Sequence, residues 1–265
     1  MDKIVRAWVD GWVVSRGAAP PVVEPWGYTV DVGQPEHVSR HVLGMTNEAV
    51  EETTVRKVAD GVTGAGVWLK VFAEPSTVGP WLGEGWWVDP EPGYLMSVPL
   101  VGASERAAPD GSAPGSRTPD GDTHVVYVPD GHTHDVSAPD SDTHDISVPN
   151  SDTHDVSAPD GYRLRTWSRG GVTRVLLAAP DGSWAARGQI APTGETAVVD
   201  QIETAARHRR RGFGRLVMRT LTHAAVAQGA VTGVLAGTPD GRALYESLGW
   251  RVEATLTSAK FTGGA

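Results

Sequence analysis

Prolines at positions 119, 129, 139, 149 and 159 recur every ten residues, and no other feature constrains the fold as strongly. The units "VPDGHTHDVS", "APDSDTHDIS" and "VPNSDTHDVS" dissolve at the last of these prolines into "APDGYRLRTW". A proline and one or two turn formers per unit exclude a helix, because proline lacks the N–H and clashes with the preceding turn. Each unit offers only two alternating apolar residues, such as Val136 and Ala138 or Ile146 and Val148. That burial is too small to offset ordering ten residues at about 1–2 kcal/mol each. The stretch 108–161 therefore reads as a disordered or turn-rich linker. It divides the chain into an N-terminal piece, 1–107, and a C-terminal piece, 162–265.

The linker also holds most of the charge. Between Pro109 and Gly161 there are eleven aspartates, no glutamate and one arginine, a balance of −10, and the whole chain carries −9. The remainder is thus +1, without the broad basic surface of a nucleic-acid binder. Asp140, Asp142, His144 and Asp145 bring oxygen and imidazole ligands together at short spacing, which suits a divalent cation. They do not match the twelve-residue calcium loop with its glycine and final glutamate, and no metal site is assigned. A short β-solenoid would have very few rungs.

Cysteine is absent, which excludes disulfides, thiolate metal sites and a cysteine nucleophile. No apolar run approaches the roughly 18 residues a bilayer span needs. The opening "MDKIVRAWVDGWVVSRG" scatters charges and a glycine through its apolar residues and has no signal-peptide core. These features predict a cytoplasmic protein without a membrane partner.

Seven of the ten tryptophans fall in residues 1–107, which read as alternating strands and helices. "WGYTVDVG" and "GVWLKVFA" are strand-like, and "GWWVDPEPGYLMSVPLV" reads as strand, turn, strand. "NEAVEETTVRKVAD" predicts a helix over 47–60 that starts at Asn47, with Val50, Val55 and Val58 as its apolar positions. After Tyr162 four strands follow in succession, "YRLRTWS", "GVTRVLLAAPDG", "SWAARGQIAP" and "TAVVDQIETA". A glycine loop leads into the amphipathic helix "FGRLVMRTLTHAAVAQG". Then come the buried strand "VTGVLAG", a helix capped by Thr238 within "TPDGRALYESLG", and one or two closing strands in "WRVEATLTSAKF".

The loop "RHRRRGFGRLV" (207–217) sits between a strand and a helix. Free N–H groups at a helix N-terminus, the helix dipole and a rim of arginines form an anion cradle. A P-loop is excluded, since G-x-x-x-x-G-K-[ST] is absent, and the dinucleotide fingerprint would need glycine where Val217 stands. The remaining pattern, [Q/R]-x-x-G-x-[G/A], is met by Arg209, Arg210, Arg211, Gly212, Phe213 and Gly214. It resembles the acetyl-CoA loop of the GNAT N-acetyltransferases. About thirty residues later, Ala243, Leu244, Tyr245, Gly249 and Trp250 are similar to that superfamily's A-x-x-L-Y-x-x-x-G-F/W segment. The resemblance covers 162 to about 260, roughly two-fifths of the chain.

The resemblance implies an α+β fold with a mixed, mostly antiparallel sheet flanked by helices. It implies acetyl-CoA as co-substrate, with pyrophosphate on the 209–215 loop through Arg209 to Arg215 and the pantetheine arm alongside Ile202, Glu203 and Thr204. It implies direct attack of an amine on the thioester, with Tyr245 protonating the leaving sulfur and a carboxylate, Glu203 or Asp200, taking the amine proton. Strand alternation predicts that these two carboxylates face opposite ways, so that only one meets the substrate. Many relatives place an asparagine after the "VTGVLAG" strand, where this chain has Gly237 and Thr238. The C-terminal piece lacks the strand and two helices that normally precede the four-strand run. Either the N-terminal piece supplies them, or it is a separate α/β half-domain packed against the first with the acceptor between; the second reading is preferred. The function implied is an N-acetyltransferase acting on an amine of a small molecule or protein. The alternative is a non-catalytic acyl-CoA-binding or interaction protein with the repeat as its arm. Monomer and homodimer both remain open.

Overall fold

The structure, a computed structural model, describes residues 2–46, 48–100 and 157–263. The decapeptide repeat up to residue 156, with Asp140, Asp142, His144 and Asp145, lies outside them, as does Asn47. The described residues fall in one compact unit that draws on both sides of the repeat.

The N-terminal stretch forms a helix, α1 (Lys3–Arg16), which the sequence reading missed. Its buried Val5, Trp8, Val9, Trp12 and Val13 recur three and four apart, the spacing of one helical face. Asp2 caps it by accepting from the Ile4 N–H at 2.9 Å, and Gly17 closes it in the left-handed region at φ 62°. The same Asp2 carboxylate accepts from the Thr46 N–H at 2.7 Å, which ties the helix start to a distant loop.

Then follow β1 (Val22–Glu24), β2 (Gly27–Gln34), β3 (His37–Leu43), α2 (Glu52–Asp60), β4 (Val67–Val71), the single turn α3 (Pro75–Val78), β5 (Trp86–Val88) and β6 (Gly93–Pro99). Helix α2 begins at Glu52, later than predicted. Val55 and Ala59 are buried in the core, Val58 packs against it partly buried, and Val50 packs on the core ahead of the helix. After the repeat come β7 (Arg163–Arg169), β8 (Val172–Ala178), β9 (Trp184–Thr193), β10 (Thr196–Thr204), α4 (Phe213–Ala227), β11 (Thr232–Gly237), α5 (Pro239–Glu246) and β12 (Arg251–Phe261). The four predicted strands, the two helices and the buried strand all form, and the closing segment is one long strand.

The strands join into one sheet in the order β1-β2-β3-β4-β12-β6-β11-β10-β9-β8-β7, with β5 also on β12. It is mostly antiparallel, with two parallel pairs, β3 with β4 and β10 with β11. A helix connects each parallel pair, α2 in the first and α4 in the second. Strand β6, from before the repeat, lies between β11 and β12. Strand β12, from the chain's end, pairs in turn with β4 and β5. The two sides of the repeat are therefore laced through each other's part of the sheet.

Side-chain alternation sends the two sheet faces to different cores. On one face α1 covers Tyr28, Val30, Val42, Leu95, Val198, Val234 and Leu256. Fully burying such side chains contributes about 1.5–3 kcal/mol each. On the opposite face Val55 and Ala59 of α2 meet Leu43, Leu69 and Val71, while α4 and α5 cover Leu177, Ile190, Val199 and Leu235. Helix α1 lies close on β10: a Cβ at Gly11 would stand 2.3 Å from Val198 Cγ2.

Candidate active site

The sheet opens at one place. Parallel pairing of β10 with β11 ends at Val199 and Leu235, yet β10 continues to Thr204 against β9. The edge of β10 beyond Val199, which includes Ile202, Glu203 and Thr204, is thus released from β11. A cleft of about 1170 Å³ runs from this fork between Ile202–Ala206, the arginine loop and α5. A second space of about 420 Å³ reaches through the fork to Arg16, and both are lined by Ile202, Glu203, Thr238 and Tyr245.

The loop offers the groups that an anion cradle needs. Gly212 stands at φ 81° and Arg210 at φ 62°, both in the left-handed region, where glycine is at ease and arginine is not. The N–H groups of residues 210–215 meet no acceptor among the described residues, and the Leu216 N–H is the first bonded, to the Gly212 carbonyl at 3.0 Å. Arg209, Arg210 and Arg215 line the cleft, with Arg215 donating to Ser247 Oγ at 3.1 Å. Arg211 is turned away and donates to Tyr162 Oη at 2.7 Å, its guanidinium over the Tyr162 and Phe213 rings. Phe213 is itself buried in the core, where it anchors the helix start. Gly214 serves packing, since a Cβ there would lie 2.9 Å from Leu244 Cδ2.

Tyr245 stands where the two spaces meet. Its ring is seated by two glycines, because a Cβ on Gly237 or Gly241 would come within 2.7 or 2.8 Å of Tyr245 Cε2. This accounts for glycine at 237, the position after the strand. Burial, with a smaller contribution from the Asp200 carboxylate, pushes the Tyr245 phenol up to about 12. It is therefore a protonated hydroxyl at neutral pH.

The two carboxylates do not face opposite ways. A one-residue bulge at Gln201, which takes φ 55°, lies between Asp200, opposite Gln189, and Glu203, opposite Arg187. Gln189 and Arg187 are two apart on β9, so the bulge returns both carboxylates to one face. That face is the α1 side, while Ile202 points to α4 against Gly188, Val217 and Leu221. Asp200 is fully engaged: it accepts from Arg16 Nε at 2.5 Å, Arg16 Nη2 at 2.9 Å, Ser15 Oγ at 2.8 Å and the Gln201 N–H at 2.9 Å. Glu203 is 47% exposed and accepts from Arg187 at 2.8 Å.

Sequence reasoning missed Arg16, Ser15 and Gln189, which join the C-terminal end of α1 to the fork. The helical spacing of α1 was the available signal. Beyond Arg16 the α1 face of the sheet is cationic. Arg16 lies over the Trp12 ring at 5.8 Å, and Arg40 stacks on the same ring at 3.7 Å. Burial, then the nearby Arg16, lowers Arg40 to about 9, with Asp200 opposing. Burial likewise lowers His37 to about 4 and holds the Lys70 ammonium well below its usual value, each with neighbouring cations adding to the shift.

Residues 144–250 match the model of the Acetyltransferase (GNAT) family. A GCN5-related N-acetyltransferase from Kribbella flavida is similar over all of this chain and 97% of its own, at 16% identity and a TM-score of 0.55. A protein described as an acetyltransferase from the GNAT family, from Novosphingobium aromaticivorans, is similar over all of this chain and 98% of its own, at 15% identity and a TM-score of 0.50. No curated protein matches the sequence. At these identities the structural likeness establishes the fold. Among the described residues no helix is long and apolar enough to cross a membrane.

Proposed function

From the GNAT acetyltransferase domain at residues 144–250, whose family uses acetyl-CoA as co-substrate, we infer that this protein transfers an acetyl group from acetyl-CoA to an amine of a small molecule or protein. The observation that carries the reading is the fork. Unpaired backbone of β10, the free N–H groups of the 210–215 turn and the Tyr245 hydroxyl border one continuous cleft.

In this reading Arg209, Arg210 and Arg215 bind the pyrophosphate with the turn's N–H groups, combining charge-assisted hydrogen bonds with the helix dipole. Arg211 holds the loop against Tyr162 and Phe213. The backbone of Ile202, Glu203 and Thr204 pairs with the pantetheine amides. The thioester then lies beside Tyr245, and the amine approaches from the α1 side through the space lined by Arg16. A neutral amine attacks the carbonyl directly. Its proton passes to Glu203, the less engaged of the two carboxylates, directly or through water. Tyr245, protonated at neutral pH, donates to the departing sulfur. Asp200 instead fixes the C-terminal end of α1 and so shapes the acceptor side. The N-terminal piece, interleaved with the rest in one sheet, repeats the strand–helix–parallel strand unit but has no arginine–glycine loop between β3 and α2.

The experiment is a coupled thiol-release assay with acetyl-CoA against a panel of amines. Amine-dependent CoA release that is lost in Glu203→Gln and Tyr245→Phe supports the assignment. Release at the wild-type rate in both variants contradicts it.

A further inference from the structure

The α1 face of the sheet carries a row of residues in register across four strands. Trp87 of β5 pairs with Lys260 of β12, Lys260 with Trp68 of β4, and Trp68 with Arg40 of β3. One step along, Ser258 lies opposite Lys70, whose ammonium donates to Ser258 Oγ at 2.5 Å and sits over the Trp68 ring at 5.1 Å. The row runs from Trp87, 47% exposed, inward to Arg40, 8% exposed. The same face of the same sheet bears Asp200 and Glu203 at the fork, and contacts connect the two: Arg40 to Trp12, Trp12 to Arg16, Arg16 to Asp200.

Charges in this row are unevenly matched. Lys260 is paired with Glu36 and Arg16 with Asp200. Among the described residues neither Arg40 nor Lys70 has a carboxylate within ion-pair distance. Arg40 Nε and His37 Nε2 are buried with no hydrogen-bond partner. Stacking on Trp12 recovers only part of the hydration a buried guanidinium gives up, and an ammonium has three donors where Lys70 uses one. Two adjacent cations with open donors, walled by indole rings, match a small oxyanion held at the edge of an apolar body.

We propose that this cluster anchors the acidic group of the acceptor: the amine acetylated at the fork carries a carboxylate or phosphate, which Arg40 and Lys70 bind beside the Trp12–His37–Trp68 stack. This rests on the acetyl-transfer reading for the chemistry at the fork, but the anion site is testable without it. His37, flanked by Trp12 and Trp68, completes the wall and offers its free Nε2. The rest of the acceptor then extends toward the space lined by Arg16 and Tyr245.

The direct test is thermal melting of the whole protein at constant ionic strength, titrated separately with inorganic phosphate and with acetate. Wild type, Lys70→Met, Arg40→Met and the loop variant Arg210→Met are compared. The expected result is an anion-dependent rise in melting temperature that Arg210→Met keeps and Lys70→Met loses, with affinity falling about tenfold or more. Whichever anion gives the larger rise names the acidic group. Lys70 lies at a less buried position than Arg40, so Lys70→Met decides the matter if Arg40→Met does not fold. A rise equal in wild type and Lys70→Met, or no rise with either anion, overturns the proposal. In the transfer assay, an amino acid should be preferred over its uncharged amide, or a phosphorylated amine over its alcohol, and Lys70→Met should erase that preference through KM. Failure of acetyl-CoA to bind would remove the transferase reading and leave the anion titration standing as its own test.

Discussion

Arg16 and Asp200 are joined by a two-pronged ion pair, Nε to Oδ2 at 2.5 Å and Nη2 to Oδ1 at 2.9 Å, across 184 residues of sequence. This pair closes the end of α1 onto β10 one residue before the bulge that turns Glu203 to the same face. It gives different surroundings to two carboxylates that local sequence makes look equivalent, and in the proposed reaction it leaves Glu203 as the base. Asp200→Asn should destabilise the fold by about 1–3 kcal/mol, because it weakens a charged hydrogen-bond network. Glu203→Gln, at an exposed pair of small worth, should leave stability within about 0.5 kcal/mol and lower turnover at least 100-fold. Urea unfolding and steady-state rates measured on both variants decide this; the opposite pattern would exchange the two roles.

Tyr245→Phe keeps the ring between Gly237 and Gly241 and removes only the hydroxyl. Turnover should fall about 10²-fold or more, the usual range for loss of a positioned acid, with acetyl-CoA affinity unchanged. The phenol titrates near 12, so the alkaline limb of the rate profile below pH 10 belongs to another group. An equal loss of affinity and turnover would mean that Tyr245 only packs against the ligand.

Gly11 sits where α1 touches β10. Gly11→Ala would improve helix propensity by about 1 kcal/mol, but its methyl would stand 2.3 Å from Val198 Cγ2. Overpacking of this kind costs about 1–3 kcal/mol, so the net effect should be a lower melting temperature. A rise would show that α1 can lift from the sheet without penalty.

His37 is held to about 4 by burial first, and then by Arg40, Lys70, Arg16 and Lys260. Because its folded value lies below its ordinary 6.5, its contribution to stability is present above about pH 6.5 and is lost as pH falls toward 4. Allowing for its half-burial, the loss is roughly 1–2 kcal/mol. His37→Phe keeps a ring between Trp12 and Trp68 and has no proton to gain, so its acid-side loss should be smaller. Identical curves for variant and wild type between pH 7 and 4 would contradict the burial assigned to His37.

Much of the C-terminal half was legible because its signals are local. Strand alternation, Thr238 with Pro239, and glycines bracketing a helix each act within a few residues, and the arginine loop is contiguous. The α1 side of the candidate site was not legible, for identifiable reasons. A bulge at Gln201 adds one residue to one strand, which no alternation pattern announces, and it reversed the predicted facing of Asp200 and Glu203. The contacts of Arg16 and Ser15 with Asp200 span more than 180 residues and depend on where α1 lands. The interleaving of β6 and β12 is likewise long-range, so two pieces that read as separate in sequence share one sheet. Arg211 looked equivalent to its neighbours in the loop, and only the position of Tyr162 turns it from the cleft.

The central claim is that the fork and its loop hold acetyl-CoA, and calorimetric titration of the purified protein with acetyl-CoA tests it most directly. Wild-type protein should bind with micromolar affinity, with or without EDTA pretreatment. Gly212→Asp should abolish binding, since it adds a side chain at φ 81° and a negative charge beside the pyrophosphate. No binding by wild type, or equal binding by Gly212→Asp, would contradict the account.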